Sequence, residues 1–202
     1  MSSLRRSVFA VEPDDRKLVA ASFLFSFFLG LTRLFTYAVG AELFLKRFTA
    51  SSLPFAYVAS SVCVPIMGAL YLRLEARITY RYLVTGTLVL LTLMLLVFRV
   101  GLMSAWSGLF IFGMMVWHDA EFALCNIVFW SMNNRLFTVR QGKRLFGLLE
   151  TGEQLATIIG GLLSPLLISW WGTANLLWIS FLGLGCAVLI QALVMHGVPD
   201  RF

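Results

Sequence analysis

The chain has 202 residues, of which 59% are hydrophobic and 13% charged, and its mean hydropathy is +0.86. This composition excludes a disordered chain and favours a membrane protein over a soluble globular domain. The formal net charge of +6 would also suit a nucleic-acid-binding protein, so the positions of the basic residues are needed to distinguish that function from membrane topology. Cys63, Cys125 and Cys186 each lie in an apolar run without paired spacing, which indicates buried thiols rather than a disulfide framework.

The first 17 residues are polar and show no short apolar core with a small-residue cleavage site, so we expect a cytoplasmic segment and no cleaved signal peptide. Six windows then provide the roughly 20 mostly apolar residues that a spanning helix needs. They are too long for barrel strands and do not alternate. The sequence therefore predicts an all-α, polytopic membrane protein with a six-helix bundle and a short cytoplasmic tail, residues 197–202. The windows cover roughly residues 18–40, 53–73, 82–103, 105–131, 145–169 and 174–196.

Basic residues are divided unequally between the two sides of the predicted bundle. Of the 16, twelve lie on the side of the N-terminus, three on the opposite side and one inside a span. Because basic loops remain on the cytoplasmic side, both termini are predicted to be cytoplasmic. Topology thus accounts for the positive charge, and we expect no nucleic-acid partner. A predicted basic loop between spans four and five contains Arg135, Arg140, Lys143 and Arg144.

Charged side chains in the middle of two spans are the strongest functional signal. Span four carries His118, Asp119 and Glu121 within "MMVWHDAEFALCNIVFW", and span one carries Arg33. An ionised side chain at that depth costs a few kcal/mol, so these residues should face the bundle interior, a cavity or a counter-ion.

The spacing on span four orders these groups. His118, Glu121 and Cys125 share one helical face, whereas Asp119 points about 100° away, and Asn126 can add a neutral hydrogen-bonding group. Counted from the cytoplasmic ends of the spans, the depths of the acids and of Arg33 differ by only about 5–8 Å. We therefore predict that Arg33 pairs with Asp119 or Glu121, either as a structural brace or as part of a ligand site.

A stripe of small residues runs along span five, in "GEQLATIIGGLLSP". Such a stripe allows another helix to approach closely, because helices in lipid associate through packing. The contact can lie inside the bundle, which we favour, or with a second subunit. Its members are Gly152, Ala156, Gly160 and Ser164.

Catalytic signals are weak in this sequence. No P-loop, GxSxG, HExxH or Gly-rich dinucleotide motif is present. His118, Glu121 and Cys125 form a lone triplet with no further ligand, so we predict no metal site. An intramembrane acid–base enzyme using His118, Asp119 and Glu121 is an alternative that lacks a nucleophile. We therefore predict a protein that is not an enzyme and has no cofactor.

The segment "AEFALCNIVFWSMNNRLFTVRQGKRLFGLLETGEQLATIIGG" resembles the nucleotide transporter family, the ATP/ADP antiporters of plastids and intracellular bacteria. Members carry a run close to A-E-L-W, then F-W-x-x-A-N and E-A-K-R-F-Y. "LTRLFTYAVGAELFLKRF" is similar to the first helix of the family and the loop after it, and "GALYLRLEARITYR" to the loop between helices two and three. The counterparts in the longest segment are Ala120, Glu121, Phe129, Trp130, Asn134, Gly142, Lys143, Arg144, Leu145 and Phe146.

The resemblance covers most of residues 20–165 and implies one half of a major-facilitator fold in a bacterial inner membrane. It also implies that Arg33 and Glu121 stand where the family has its first-helix Lys and fourth-helix Glu. The chain departs from the family in having Arg for Lys, in carrying Glu150 and Glu153 at small or neutral positions, and in having six spans rather than twelve.

Two functions follow as expectations. The first is a half-size, nucleotide-transporter-like domain that binds or exchanges a nucleotide or another organic anion as a homo-oligomer or with a partner membrane protein. The second is a non-transporting six-helix module, an anchor, sensor or assembly subunit, that keeps the transporter fold. In the second case the intramembrane charges are structural.

Overall fold

A computed structural model describes residues 16–199, which are helical throughout apart from short turns and contain no strand. Each of the six predicted spans is matched by one long helix, and all six are long and apolar enough to cross a membrane. This confirms an integral, multi-pass, all-α protein. Two 3₁₀ turns, Ala50–Ser52 and Thr173–Leu176, lie in connections. The helices are α1 Arg16–Arg47, α2 Leu53–Glu75, α3 Tyr80–Gly101, α4 Ser107–Leu136, α5 Val139–Trp171 and α6 Leu177–Gly197.

Helix α1 is the centre of the bundle. It packs against α4, α5 and α6, while α2 packs mainly on α4, and α3 on α6 and α4. Phe25, Phe35 and Phe44 of α1 are almost completely buried in these contacts. Any side chain that pairs with Arg33, the cation in the middle of α1, is therefore expected on α4, α5 or α6.

The peripheral helices α2 and α5 present large apolar side chains on their outer surfaces. A helix that is apolar on its outer face as well is typical of contact with lipid. The outer faces of α2 and α5 are thus consistent with contact with a lipid bilayer. Exposed examples are Phe55, Val58, Val62 and Ile66 of α2, and Ile158, Leu162 and Leu166 of α5.

The small-residue stripe of α5 lies against α1 of the same chain. Of the two predicted alternatives, the structure thus has the contact inside the bundle. A Cβ added at Gly152 would lie 2.5 Å from the Phe23 carbonyl oxygen and 3.1 Å from the Phe27 nitrogen. One added at Gly30 would lie 2.8 Å from Glu153 Cα. The two backbones thus touch where both helices lack a side chain. Ala156 and Gly160 are also buried along this contact, and Ser164 is half-buried.

The predicted basic loop between spans four and five is wrong in extent. Only residues 137–138 separate α4 from α5, because Thr138 and Gln141 form a capping box that starts α5 six residues before the predicted span. The four basic residues are therefore helical. Arg135 closes α4 and Arg140, Lys143 and Arg144 lie in the first two turns of α5.

Candidate functional site

The predicted partner of Arg33 is wrong. Arg33 Nη1 forms a salt bridge with Glu153 Oε1 of α5, not with Asp119 or Glu121 of α4. The guanidinium also lies over the Phe122 ring, with Cζ 3.6 Å from the centroid, a favourable cation–π distance. Arg33 is thus held between a carboxylate on one helix and an aromatic face on another.

The physical reason for the changed partner is the early start of α5. Glu153 lies 14 residues after Val139, the first residue of α5. Counted from the predicted span starts, residues 145 and 18, Glu153 and Arg33 would lie about 12 and 23 Å along their helices, whereas the count from Val139 puts Glu153 at about 21 Å. The early start of α5 thus brings Glu153 to the depth predicted for Arg33.

The backbone contact between α1 and α5 fixes the position of Glu153. Its N–H donates to Ser26 Oγ at 3.0 Å, and its Cα lies against Gly30. The close packing therefore fixes the backbone of Glu153 at a position from which its carboxylate reaches Arg33.

Glu121 is buried in the middle of α4, with only 2% of its surface exposed. Neither of its carboxyl oxygens has a partner in hydrogen-bond geometry. The Thr36 hydroxyl, which also lacks a hydrogen-bond partner, is close enough to interact with the carboxyl. A buried, unpartnered carboxyl at this depth is costly, and such groups usually mark functional sites.

His118 and Asp119 form a second polar pair on α4. His118 Nδ1 lies 3.3 Å from Asp119 Oδ1, and the His118 ring lies 4.8 Å from the Tyr37 ring of α1. The Asp119 side chain is 41% exposed and that of His118 only 13%. As the helical spacing predicted, Asp119 points away from the face shared by His118 and Glu121.

Two neighbouring spaces share some of these groups in their linings. A small, partly open cavity of about 20 Å³, measured for the centre of a water molecule, is lined by Arg33, His118, Glu121, Asn126 and Glu153 among others. It has room for a single water molecule, because one needs about 10–15 Å³ by that measure. The structure thus brings together four of the five predicted intramembrane residues, Asp119 being the exception.

An open groove of about 460 Å³ lies beside the cavity and shares Arg33, His118 and Glu153 with it. Tyr37, Gln154 and Thr157 complete its polar rim. The Arg33 side chain is 42% exposed towards this groove although it lies near the middle of α1. Charged groups rarely face lipid at this depth, so protein or water must cover this surface.

The other predicted residues have local roles. Asn126 donates to the Phe122 carbonyl of its own helix at 3.2 Å. Arg135, near the C-terminal end of α4, lies over the Tyr80 ring of α3, with Cζ 3.9 Å from the ring centroid. Among the described residues, no group of three His, Cys, Asp or Glu side chains could hold a metal ion. Arg135 lies 14 residues after Glu121 on α4, about 21 Å along the helix, and is therefore separate from the intramembrane site.

Glu153 is the residue that sequence reasoning missed. Two local signals could have found it: Thr138-x-x-Gln141 has the capping-box pattern, and α1 has a small-residue stripe of its own. That stripe, Ser22, Ser26 and Gly30, has the four-residue spacing of the stripe on α5 and is buried against it. Matching the two stripes places Glu153 beside Arg33.

Comparisons with protein-family models, curated proteins and solved structures find no match to this chain. The function has to be argued from the residues and their arrangement alone.

Proposed function

We propose that this bundle is a transporter-type membrane domain that binds an organic anion, with nucleotides among the candidates, in the open groove beside Arg33. The observation that carries the proposal is a partly exposed guanidinium at mid-membrane depth, in a groove of about 460 Å³. Cavities of roughly 300–1,000 Å³ are typical of small-molecule sites. The groove is open on one side, so a facing helical unit supplies the other wall.

Binding would exchange one anionic partner of Arg33, the Glu153 carboxylate, for another, the ligand. Arg33 has donors directed to Glu153, and a phosphate or carboxylate ligand would take the place of that side chain. Phe122 would hold the guanidinium plane during the exchange. Gln154, Thr157 and Tyr37 offer neutral hydrogen-bonding groups at the rim.

The test is nucleotide binding to the purified chain in nanodiscs, with ATP, ADP and GTP. Arg33→Ala removes a charge-assisted contact worth about 1.5–3 kcal/mol, so affinity should fall roughly 10- to 100-fold. Arg77→Ala is the matched control, because Arg77 is an exposed cation in the turn after α2. Equal affinity of the Arg33 variant and wild type would refute the proposal.

A second candidate function is supported by the existing salt bridge. Arg33 is already paired with Glu153, and the small cavity beside it has room for only about one water molecule. These features fit a non-transporting membrane module in which the pair braces α1 against α5. This candidate predicts no nucleotide binding by wild type and stable co-purification with a partner membrane protein.

A further inference from the structure

Glu121 has a buried environment that no other carboxylate of the described chain shares. Its side chain is 2% exposed, and both oxygens lack a hydrogen-bond partner. By contrast, Glu153 pairs with Arg33, and Glu42 pairs with Lys46 at 2.5 Å and accepts a hydrogen bond from Thr173 at 2.7 Å. Glu121 is therefore shielded from bulk solvent and pairs with no described cation, whereas an ionised carboxylate inside a membrane needs one of these compensations.

The groups that face the Glu121 cavity do not compensate it either. Arg33 of α1 is turned to Glu153, His118 lies against Asp119, and Cys125 is a neutral thiol one turn further along α4. Helices α2 and α3 also pack on α4, but their charged residues lie at the helix ends. No described cation is thus committed to Glu121.

We propose that Glu121 is an internal proton-binding site, and that its proton is linked to the carboxylate with which Arg33 pairs. In the first arrangement, Arg33 pairs with Glu153 as in the structure, Glu153 is the anion and Glu121 is the neutral acid. In the alternative arrangement, the Glu121 O–H bond breaks, the proton forms an O–H bond on a Glu153 oxygen, and Arg33 pairs with the Glu121 carboxylate. The total charge of the three groups is the same in both.

The geometry supports this linkage in two ways. Arg33, Glu121 and Glu153 all line one small cavity, which has room for about one water molecule. Arg33 also lies over Phe122, which lines the same cavity as Glu121, so the exchange of partners takes place within one cavity. The inference concerns the charge state alone and holds whether or not the bundle transports a solute.

The experiment is infrared spectroscopy of the full chain in nanodiscs at neutral pH, with exchange into heavy water to identify the carbonyl band of a protonated carboxyl group. Wild type should show this band, and Glu121→Gln should lose it. Asp119→Asn is the matched control, because Asp119 is a half-exposed neighbour on the same helix, and it should keep the band. Absence of the band in wild type, or its persistence in the Glu121 variant, would overturn the proposal.

The linkage to Arg33 is tested by Glu153→Gln. This variant removes the anion from Arg33, so Glu121 should release its proton to become the new partner and the band should disappear. A band of unchanged intensity in this variant would overturn the linkage.

A second measurement on unmutated protein guards against variants that fail to fold. Wild type is labelled with carbon-13 at its glutamate side-chain carboxyl groups, and the infrared band of the protonated carboxyl group is measured again. We expect this band to shift to lower frequency, because the protonated group is a glutamate. An unshifted band would place the proton on an aspartate and refute the proposal.

Discussion

Replacing Gly152 by Ala tests the contact that positions the site. The added Cβ would lie 2.5 Å from the Phe23 carbonyl oxygen and 3.1 Å from the Phe27 nitrogen. Both are main-chain atoms inside α1, so they cannot rotate away as a side chain could, and α1 and α5 must separate. Gly161 lies on the same helix, and an added Cβ there would meet no atom within 4 Å.

The two glycines therefore form a matched pair. Either Gly→Ala change gains up to about 1 kcal/mol of helix propensity, whereas only the change at Gly152 is overpacked, at a cost of about 1–3 kcal/mol. Because the propensity gain is common to both, the overpacking cost is the difference between the variants. We expect Gly152→Ala to be less stable than Gly161→Ala by that amount in reversible unfolding from mixed micelles. Equal stability would show that α5 does not pack on α1 through this stripe.

Two further predictions concern the same helices. A double-mutant cycle with Arg33→Met and Glu153→Leu should be non-additive. Each single change should lower the free energy of unfolding by about 1–3 kcal/mol, because it leaves one charge unpaired in a partly exposed site. The double change should cost less than the sum of the two single changes. Additive losses would mean that the pair does not couple the helices. On α5, Leu149→Ala should cost about 2–5 kcal/mol because Leu149 is fully buried, whereas Leu162→Ala at a 75% exposed position should change stability by about 0.5 kcal/mol or less. Thermal unfolding in nanodiscs measures the stability of both variants. Similar losses of stability would contradict the proposal that this side of α5 faces lipid.

The length and apolarity of each run were sufficient to predict the six helices, because a spanning helix has to be long and apolar whatever its neighbours are. Helix ends were predicted less well. The charges of Arg140, Lys143 and Arg144 indicated a loop, yet charged residues are compatible with helix outside the lipid, and the Thr138–Gln141 capping box extended α5 into that region.

That error in one helix end changed the predicted ion pair. Burial cost alone predicted that Arg33 and Glu121 face the bundle interior or a cavity, and both line one cavity in the structure. It could not identify Glu153 as the partner, since pairing depends on the register of α5 against α1, and the register is set by the fit of two small-residue stripes. Depth along a helix is thus only as reliable as the assigned helix start.

The balance of charge at the open face bears on what covers it. Among the described residues that line the groove, the charged side chains are Arg33 and Glu153, whose charges cancel. An anionic ligand would therefore add an excess negative charge at this depth, which costs free energy unless a further cation compensates it. A second copy of this chain would bring the same neutral pair and no such cation. The proposed anion binding is thus easier to reconcile with a facing unit of different sequence, with basic side chains at the depth of Arg33, than with a symmetric pair of these bundles.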